Sequence, residues 1–172
     1  TNVKRPIGTT SANYGYWEYL PVNYNNEPNK SWPVIIFYHG IGECGTGTET
    51  DLNKLAWLAL NGKLTSNNLE LDAIVISPQT EKWPAISKLH TFTSYIINQH
   101  GYRIDTNRVY VTGLSMGGRN AWLYTNSYPD VVAASVVSCG ACNPPSNVSK
   151  MKDIPIWAFH NSGDTTVRVQ QT

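Results

Sequence analysis

A serine flanked by glycines is the residue whose surroundings point most directly to chemistry. The stretch Gly113-Leu114-Ser115-Met116-Gly117 fits the G-x-S-x-G pattern and follows the apolar segment Val109–Thr112. In a strand-turn-helix setting, such a turn raises the serine hydroxyl above the sheet, and the following helix directs N–H groups at the reacting centre. Glycines let neighbouring backbone approach closely. The motif therefore predicts Ser115 as a nucleophile, with an ordinary tight turn as the alternative.

The order of the elements along the chain predicts the sheet that would position this serine. Apolar runs of strand length alternate with segments of helical period. Strands are predicted at Tyr14–Leu20 (an outer strand), Val34–Tyr38, Ala73–Ile76, Val109–Thr112, Val131–Val137 and Ile154–Phe159, and helices at Ala85–Gln99, Met116–Ser127 and from Asp51 to about Gly62. This alternation indicates parallel βαβ units, and hence an α/β fold with a sheet covered on both faces.

Length and composition limit the class of protein. The 172 residues contain no repeat and no linker, which predicts one domain over residues 1–172. The net charge of +1 argues against nucleic-acid and membrane partners, and no apolar stretch approaches the roughly 20 residues of a membrane span. A composition rich in Asn, Thr, Tyr and Trp favours a secreted or periplasmic protein, although residues 1–10 lack a signal-peptide pattern.

The three cysteines, Cys44, Cys139 and Cys142, are weak evidence for any chemistry. Cys139 and Cys142 have the CxxC spacing of redox motifs and of half a zinc site. A zinc site would need a second ligand pair, which the sequence lacks, and the motif comes late in the chain after an apolar run. We therefore expect a structural pair, reduced or locally bridged, with a redox function as the alternative. No metal is predicted.

Three blocks of sequence resemble one enzyme family. These are Tyr38–Glu43 (YHGIGE), Ile104–Gly118 (IDTNRVYVTGLSMGG) and Ile154–His160 (IPIWAFH), with Trp122 and Tyr128-Pro129-Asp130 extending the likeness. Together they resemble the α/β-hydrolase superfamily, and within it the serine esterases near dienelactone hydrolase, polyhydroxybutyrate depolymerase and feruloyl or acetyl-xylan esterases. The likeness runs in order from Tyr14 to the end of the chain.

The resemblance implies an α/β-hydrolase fold and an acyl-enzyme mechanism that needs no cofactor. Ser115 would be the nucleophile, and the backbone N–H groups of Ile41 and Met116 would bind the oxyanion. Asp164, after the last predicted strand, would be the acid that orients a histidine. A structural glycine loop at residue 41 and a turn aspartate at residue 164 are the alternatives. Asp105 and Asp130 are weaker acids, typical of turns or caps.

One departure concerns the base, because the family order is serine, acid, histidine. The four histidines are His39, His90, His100 and His160, and none follows Asp164. His39 is expected to orient the oxyanion loop, His90 and His100 belong with a packed helix, and His160 is a weak candidate. Without a base, a serine hydroxyl is a poor nucleophile. We therefore expect a catalytic domain that lacks its last helix and strand, with an exposed edge and apolar face beside Ile154–Phe159.

The leading functional hypothesis is a secreted serine esterase that cleaves a carboxylic ester on a small molecule or a polysaccharide, including plant cell-wall carbohydrate or feruloyl esters. Tryptophans that could line a sugar or feruloyl cleft are Trp17, Trp32, Trp57, Trp83 and Trp122, with core packing as the alternative. Three other hypotheses stay open: a peptidase of the same fold, a binding module that has lost the base, and a redox protein built on Cys139 and Cys142.

Overall fold

The computed structural model describes residues 2–55, 71–98, 101–142 and 148–172. The strands in these ranges are β1 (Asn2–Arg5), β2 (Tyr16–Tyr19), β3 (Trp32–Tyr38), β4 (Ile74–Pro78), β5 (Ile104–Leu114), β6 (Ala134–Ser138) and β7 (Ile156–Phe159). They form one sheet in the order β1-β2-β4-β3-β5-β6-β7. Strands β3 to β7 pair in parallel, whereas β2 is antiparallel to both β1 and β4.

In the described ranges, two α-helices accompany the sheet, α1 (Ile86–Asn98) and α2 (Met116–Ser127). Short 3₁₀ helices lie at Ile41–Glu43, Asp51–Leu55, Val148–Met151 and Val169–Gln171. Helix α2 starts directly after β5 and stops before Pro129, since a residue that precedes proline is disfavoured in the helical region. Within the described ranges, no helix is long and apolar enough to cross a membrane.

The core lies between one face of the sheet and the two helices. Side chains alternate across a strand, so every second residue of β3 and β5 points to this face, including the fully buried Ile36 and Val111. Leu89 and Phe92 of α1 and Tyr124 of α2 belong to the same buried cluster. This packing holds the first turn of α2 against the carboxyl ends of the central strands.

The other face of the sheet is covered less completely. Near β2 and β4 a small cluster buries Tyr19 and Val75. Towards β7, which forms the edge of the sheet, Val136, Trp157 and Phe159 are 40%, 66% and 45% exposed. The rings of Trp157 and Phe159 pack on each other, with centroids 4.6 Å apart. This is the exposed edge and apolar face that the sequence predicts, and in the described residues α1 and α2 both cover the opposite face.

The predicted α/β class and the mostly parallel sheet are confirmed. Strand β1 and its antiparallel pairing were not foreseen, because Asn2–Arg5 has no apolar pattern of its own. Strand β5 begins at Ile104 rather than Val109, since its polar first half pairs at an exposed end of the sheet. Of the helix predicted from Asp51, residues 51–55 form a 3₁₀ helix, and the remainder lies outside the described residues.

Candidate active site

Ser115 occupies the tight turn that joins β5 to α2. Its backbone has φ 57° and ψ −117°, a region that costs a non-glycine residue about 1–3 kcal/mol. Its N–H donates to the carbonyl oxygen of Ser138 at 2.9 Å, and its carbonyl accepts from the N–H of Arg119 at 3.0 Å. The strained turn is therefore held by β6 on one side and by the first turn of α2 on the other.

The glycines of the motif are required by close backbone packing. A Cβ on Gly117 would overlap the carbonyl oxygen of Tyr38 at the end of β3, and a Cβ on Gly113 would overlap the carbonyl oxygen of Gly117. Any side chain at either position would push β3, β5 and α2 apart. The glycines thus bring the carboxyl ends of two strands and the helix start together around Ser115.

The loop after β3 passes directly beside this serine. A Cβ on Gly40 would lie 3.8 Å from the Cβ of Ser115. The next residue, Ile41, starts a short 3₁₀ turn and is 43% exposed, whereas Met116 is buried. Among the described residues, no hydrogen-bond acceptor is found for the backbone N–H of Ile41 or of Met116. Two free donors of this kind suit a developing oxyanion.

His39 anchors the loop and is not available as a base. Its ring is almost completely buried, and its Nε2 accepts a hydrogen bond from the N–H of Thr80 at 2.9 Å. Its Nδ1 lies 2.6 Å from the carbonyl oxygen of Gly40, which can only accept, so Nδ1 carries the proton. Burial lowers the pKa of His39, which keeps the ring neutral.

A pocket of about 330 Å³ opens above Ser115. Its lining residues are Ile41, Trp83, Ser115, Met116, Arg119, Ala141, Thr166 and Val167. The wall is largely apolar, and its lining includes one serine hydroxyl and one guanidinium. This composition is typical of a small-molecule site, in which few polar groups fix the orientation of an otherwise apolar ligand.

Asp164 lies in the loop after β7, behind the wall of this pocket. Its Oδ1 accepts hydrogen bonds from the N–H groups of Val167 (2.9 Å) and Thr166 (2.8 Å), both of which line the pocket. Its Oδ2 lies 3.4 Å from Nε2 of His160. The N–H groups of Val167 and Thr166 hold the pKa of Asp164 below its ordinary value, with a smaller contribution from His160. Asp164 is therefore an ionised carboxylate at neutral pH.

The described histidines do not reach Ser115. The side chain of His160 is 3% exposed, with Nε2 2.7 Å from the carbonyl oxygen of Val167 and Nδ1 hydrogen-bonded to Oγ1 of Thr172. His90 belongs to α1, where its Nδ1 lies 3.0 Å from the hydroxyl of Tyr124. His100 lies outside the described residues. Of the site residues predicted from sequence, the structure thus joins Ser115, Ile41 and Met116 around one pocket, with Asp164 behind it.

The other candidate residues are less suited to catalysis or to metal binding. Asp105 binds Nε of Arg108 at 2.7 Å and is a surface turn residue. Cys44, Cys139 and Cys142 are free thiols, and burial raises the pKa of Cys44 and Cys142, which disfavours a reactive thiolate. In the part of the chain that the structure describes, no group of three or more His, Cys, Asp or Glu side chains could hold a metal ion.

Of the five tryptophans proposed for a cleft, Trp83 alone lines this pocket among those the structure describes. Trp32 is buried in the core, and Trp17 donates its Nε1–H to the carbonyl oxygen of Leu52 at 2.7 Å. Trp122 packs against the core cluster, and Trp57 lies outside the described residues. Arg119 was not predicted from sequence, although its spacing of four residues from Ser115 places it one helical turn further along α2.

Comparisons with known proteins identify the fold. No protein-family model matches the sequence. A bifunctional acetylxylan esterase/xylanase of Neocallimastix patriciarum is 33% identical over 85 residues, which are 46% of this chain and 12% of that protein. A solved thermostable esterase is 28% identical and superimposes with a TM-score of 0.75 over 99% of this chain and 48% of its own. The chain has the α/β-hydrolase fold.

A ferulic acid esterase from Anaeromyces mucronatus shares this α/β-hydrolase fold. It is 16% identical, with a TM-score of 0.61 over 98% of this chain and 74% of its own, so the likeness concerns the fold alone. The chain spans about half the length of the thermostable esterase and 12% of the acetylxylan esterase/xylanase. In the α/β-hydrolase fold, Ser115 lies where β5 meets α2, the position at which a nucleophile elbow is expected.

Proposed function

We propose that this chain belongs to a serine hydrolase that cleaves carboxylic esters through an acyl-enzyme on Ser115. The observation that carries the proposal is the strained serine that lines one pocket with Ile41 and Met116, whose N–H groups have no acceptor among the described residues. Backbone strain of this kind clusters at functional sites, where it is part of the mechanism. The esterases that share the fold support ester hydrolysis as the reaction.

In the proposed mechanism, Oγ of Ser115 attacks the ester carbonyl carbon, and the resulting oxyanion accepts hydrogen bonds from Ile41 and Met116. Removing one such donor typically costs about 3 kcal/mol of transition-state stabilisation. Collapse of the tetrahedral intermediate breaks the bond to the alcohol, which leaves with a proton, and the acyl group stays on Ser115. Water then hydrolyses this acyl-enzyme and releases the carboxylic acid product. Asp164 would hold the histidine that moves these protons.

The base is the component that the described contacts do not supply. His160 is the histidine nearest to Asp164, but its ring nitrogens are directed to Val167 and Thr172. A histidine that donates to Asp164 and accepts from Ser115 would complete the proposed triad.

For the substrate, we propose a carboxylic ester on a small molecule or on a cell-wall polysaccharide, including feruloyl esters. The acetylxylan esterase and the ferulic acid esterase among the similar proteins support this class. The apolar wall of the pocket, with Trp83 at its mouth, is suited to a planar acyl group or a sugar ring. A composition poor in Lys and Glu supports a secreted or periplasmic location.

The test is an intact-mass spectrum of the 19.1 kDa chain before and after treatment with a fluorophosphonate probe. We expect one adduct on the unmodified sequence, none on Ser115→Ala, and an undiminished adduct on Ser162→Ala, which alters an exposed serine. Circular dichroism of each variant establishes that it is folded. A folded chain that forms no adduct would contradict an activated Ser115.

The second candidate function is a non-catalytic binding module of the same fold. It is favoured by one observation, that none of His39, His90 and His160 is hydrogen-bonded to Ser115 in the described residues. A binding module would keep the pocket and bind ligand without reacting with the probe. The same spectrum, followed by a ligand titration, separates the two functions.

A further inference from the structure

The pocket contains a guanidinium that forms no ion pair with the described carboxylates. Arg119 lines the pocket with Ser115, and its side chain makes no ion pair or hydrogen bond with any described residue. Its side chain lies beside Trp83, whose ring centroid is 5.5 Å from the guanidinium carbon. No acidic side chain of the described residues lines the pocket. A partly buried cation without a counter-ion is expected to attract an anion.

The surroundings of Arg119 strengthen this positive potential. Helix α2 begins at Met116 beside the pocket, and its first turn contains no acidic residue to offset the helix dipole. Two carboxylates of the described residues lie near the pocket. Oδ1 of Asp164 accepts from Thr166 and Val167 and its Oδ2 faces His160, whereas Oε2 of Glu43 lies beside Gly40, 3.1 Å from where a Cβ on that glycine would be. Neither carboxylate forms an ion pair with Arg119.

Trp83 lies beside the guanidinium and favours its place in the pocket. Its backbone has a positive φ of 53°, its N–H donates to Sδ of Met116 at 3.3 Å, and its side chain is 56% exposed. A guanidinium that lies over an aromatic ring keeps its N–H edges free for a planar acceptor. The pair thus presents a flat apolar face beside a two-pronged donor, which matches a sugar ring that carries a carboxylate.

We propose that Arg119, positioned by Trp83, binds a carboxylate of the ligand, so that the pocket prefers acidic sugars to neutral ones. If the pocket is also the esterase site proposed above, the preferred ester is one whose sugar carries a uronic acid. The preference itself is a property of binding and requires no acyl-enzyme. A failure of the proposed catalysis and a failure of this proposal are therefore distinguishable.

The experiment compares two glycosides that differ in one group. Methyl β-D-glucuronoside carries a carboxylate where methyl β-D-glucoside carries a hydroxymethyl group. Their dissociation constants are measured by ligand-observed NMR on the whole chain at low ionic strength. We expect the glucuronoside to bind about five- to tenfold more tightly, as for a partly desolvated charge-assisted pair. Arg119→Gln should abolish the preference, and Arg119→Lys should retain part of it.

Controls separate a specific contact from net charge and from catalysis. Lys150→Gln removes one positive charge from an exposed side chain outside the pocket, and it should leave the preference unchanged. Ser115→Ala should also keep the preference, since binding does not depend on the nucleophile. Equal affinity for the two glycosides, no measurable binding of the glucuronoside, or an unchanged preference in Arg119→Gln would each overturn the proposal.

Discussion

The centre of the sheet and its β7 edge differ in how firmly they are held. Around Ser115, backbone segments from β3, β5, β6 and α2 lie in direct contact, and glycines are the residues that fit between them. Around Asp164, the loop after β7 is held mainly by hydrogen bonds to residues near in sequence, and β7 itself is an exposed edge strand. Ser115, the proposed nucleophile, is positioned by the fold, whereas Asp164, the proposed acid, is positioned by its own loop.

This difference between the two regions indicates where the fold can keep a strained backbone. A positive φ at Ser115 persists because its neighbours leave the chain no room to relax, and such a site stays formed without ligand. A loop at a half-covered edge has few tertiary contacts, so it opens more easily than the core. We expect substitutions near Ser115 to have large effects on folding, and equivalent substitutions near Asp164 to have small ones.

The largest contrast is expected between two glycines. In Gly117→Ala the new methyl group would overlap the carbonyl oxygen of Tyr38, so backbone must move, and the free energy of unfolding should fall by about 3 kcal/mol or more. In Gly163→Ala the nearest atom would be Oδ1 of Asn161 at 3.6 Å, and the change should stay within about 0.5 kcal/mol. Urea unfolding measures both. Similar losses in the two variants would contradict the comparison.

Next in size is the contrast between the two faces of β6. Val137 is fully buried against the helices, so Val137→Ala should cost about 2 kcal/mol through lost packing. Val136 points to the opposite face, is 40% exposed, and should cost about 0.5 kcal/mol when replaced by alanine. The same urea experiment checks this adjacent pair. A large cost at Val136 would mean that its face is covered in solution.

A smaller effect, of opposite sign, is expected from relieving the strain at Ser115. Glycine adopts a positive φ at little cost, so Ser115→Gly should recover about 1–3 kcal/mol of strain and lose about 0.5–1 kcal/mol to the greater freedom of the unfolded chain. The net result should be a variant about 1 kcal/mol more stable. At the exposed Ser162, which has no positive φ, the same change should destabilise by about 0.5 kcal/mol. A destabilised Ser115→Gly would show that the turn is unstrained.

The elements that depend on residues close in sequence were predicted from local sequence patterns. The bounds of α2 follow from the glycines before it and the proline after it, and Ser115 follows from the same pattern. Strand β1 and the first half of β5 were missed because their pairing depends on partners far along the chain. The contact between Arg119 and Trp83 was not predicted either, because 36 residues separate them in sequence and only the folded sheet brings Trp83 to the pocket.

The smallest expected effect concerns acid stability and compares Asp51 with Asp164. Hydrogen bonds from Thr46 lower the pKa of Asp51 to about 2, and the N–H groups of Val167 and Thr166 lower that of Asp164. A carboxyl whose pKa is lower in the folded than in the unfolded chain stabilises the fold above the ordinary pKa. That stabilisation is lost as the pH falls through the folded value. Both residues should therefore make the free energy of unfolding decline below about pH 4.

Asp51 begins the 3₁₀ helix Asp51–Leu55 and accepts hydrogen bonds from both the N–H and the hydroxyl of Thr46, so it should account for more of this decline than Asp164. Asp51→Asn should flatten the dependence between about pH 4 and about pH 2 more than Asp164→Asn does. Asp153→Asn, which removes one exposed carboxylate elsewhere on the surface, is the matched variant for the change in net charge. Urea unfolding over a series of pH values measures all three. A larger flattening by Asp164→Asn would reverse the comparison. The stability of the loop after β7 would then depend on the charge of Asp164 more than the segment around Asp51 depends on its own carboxylate.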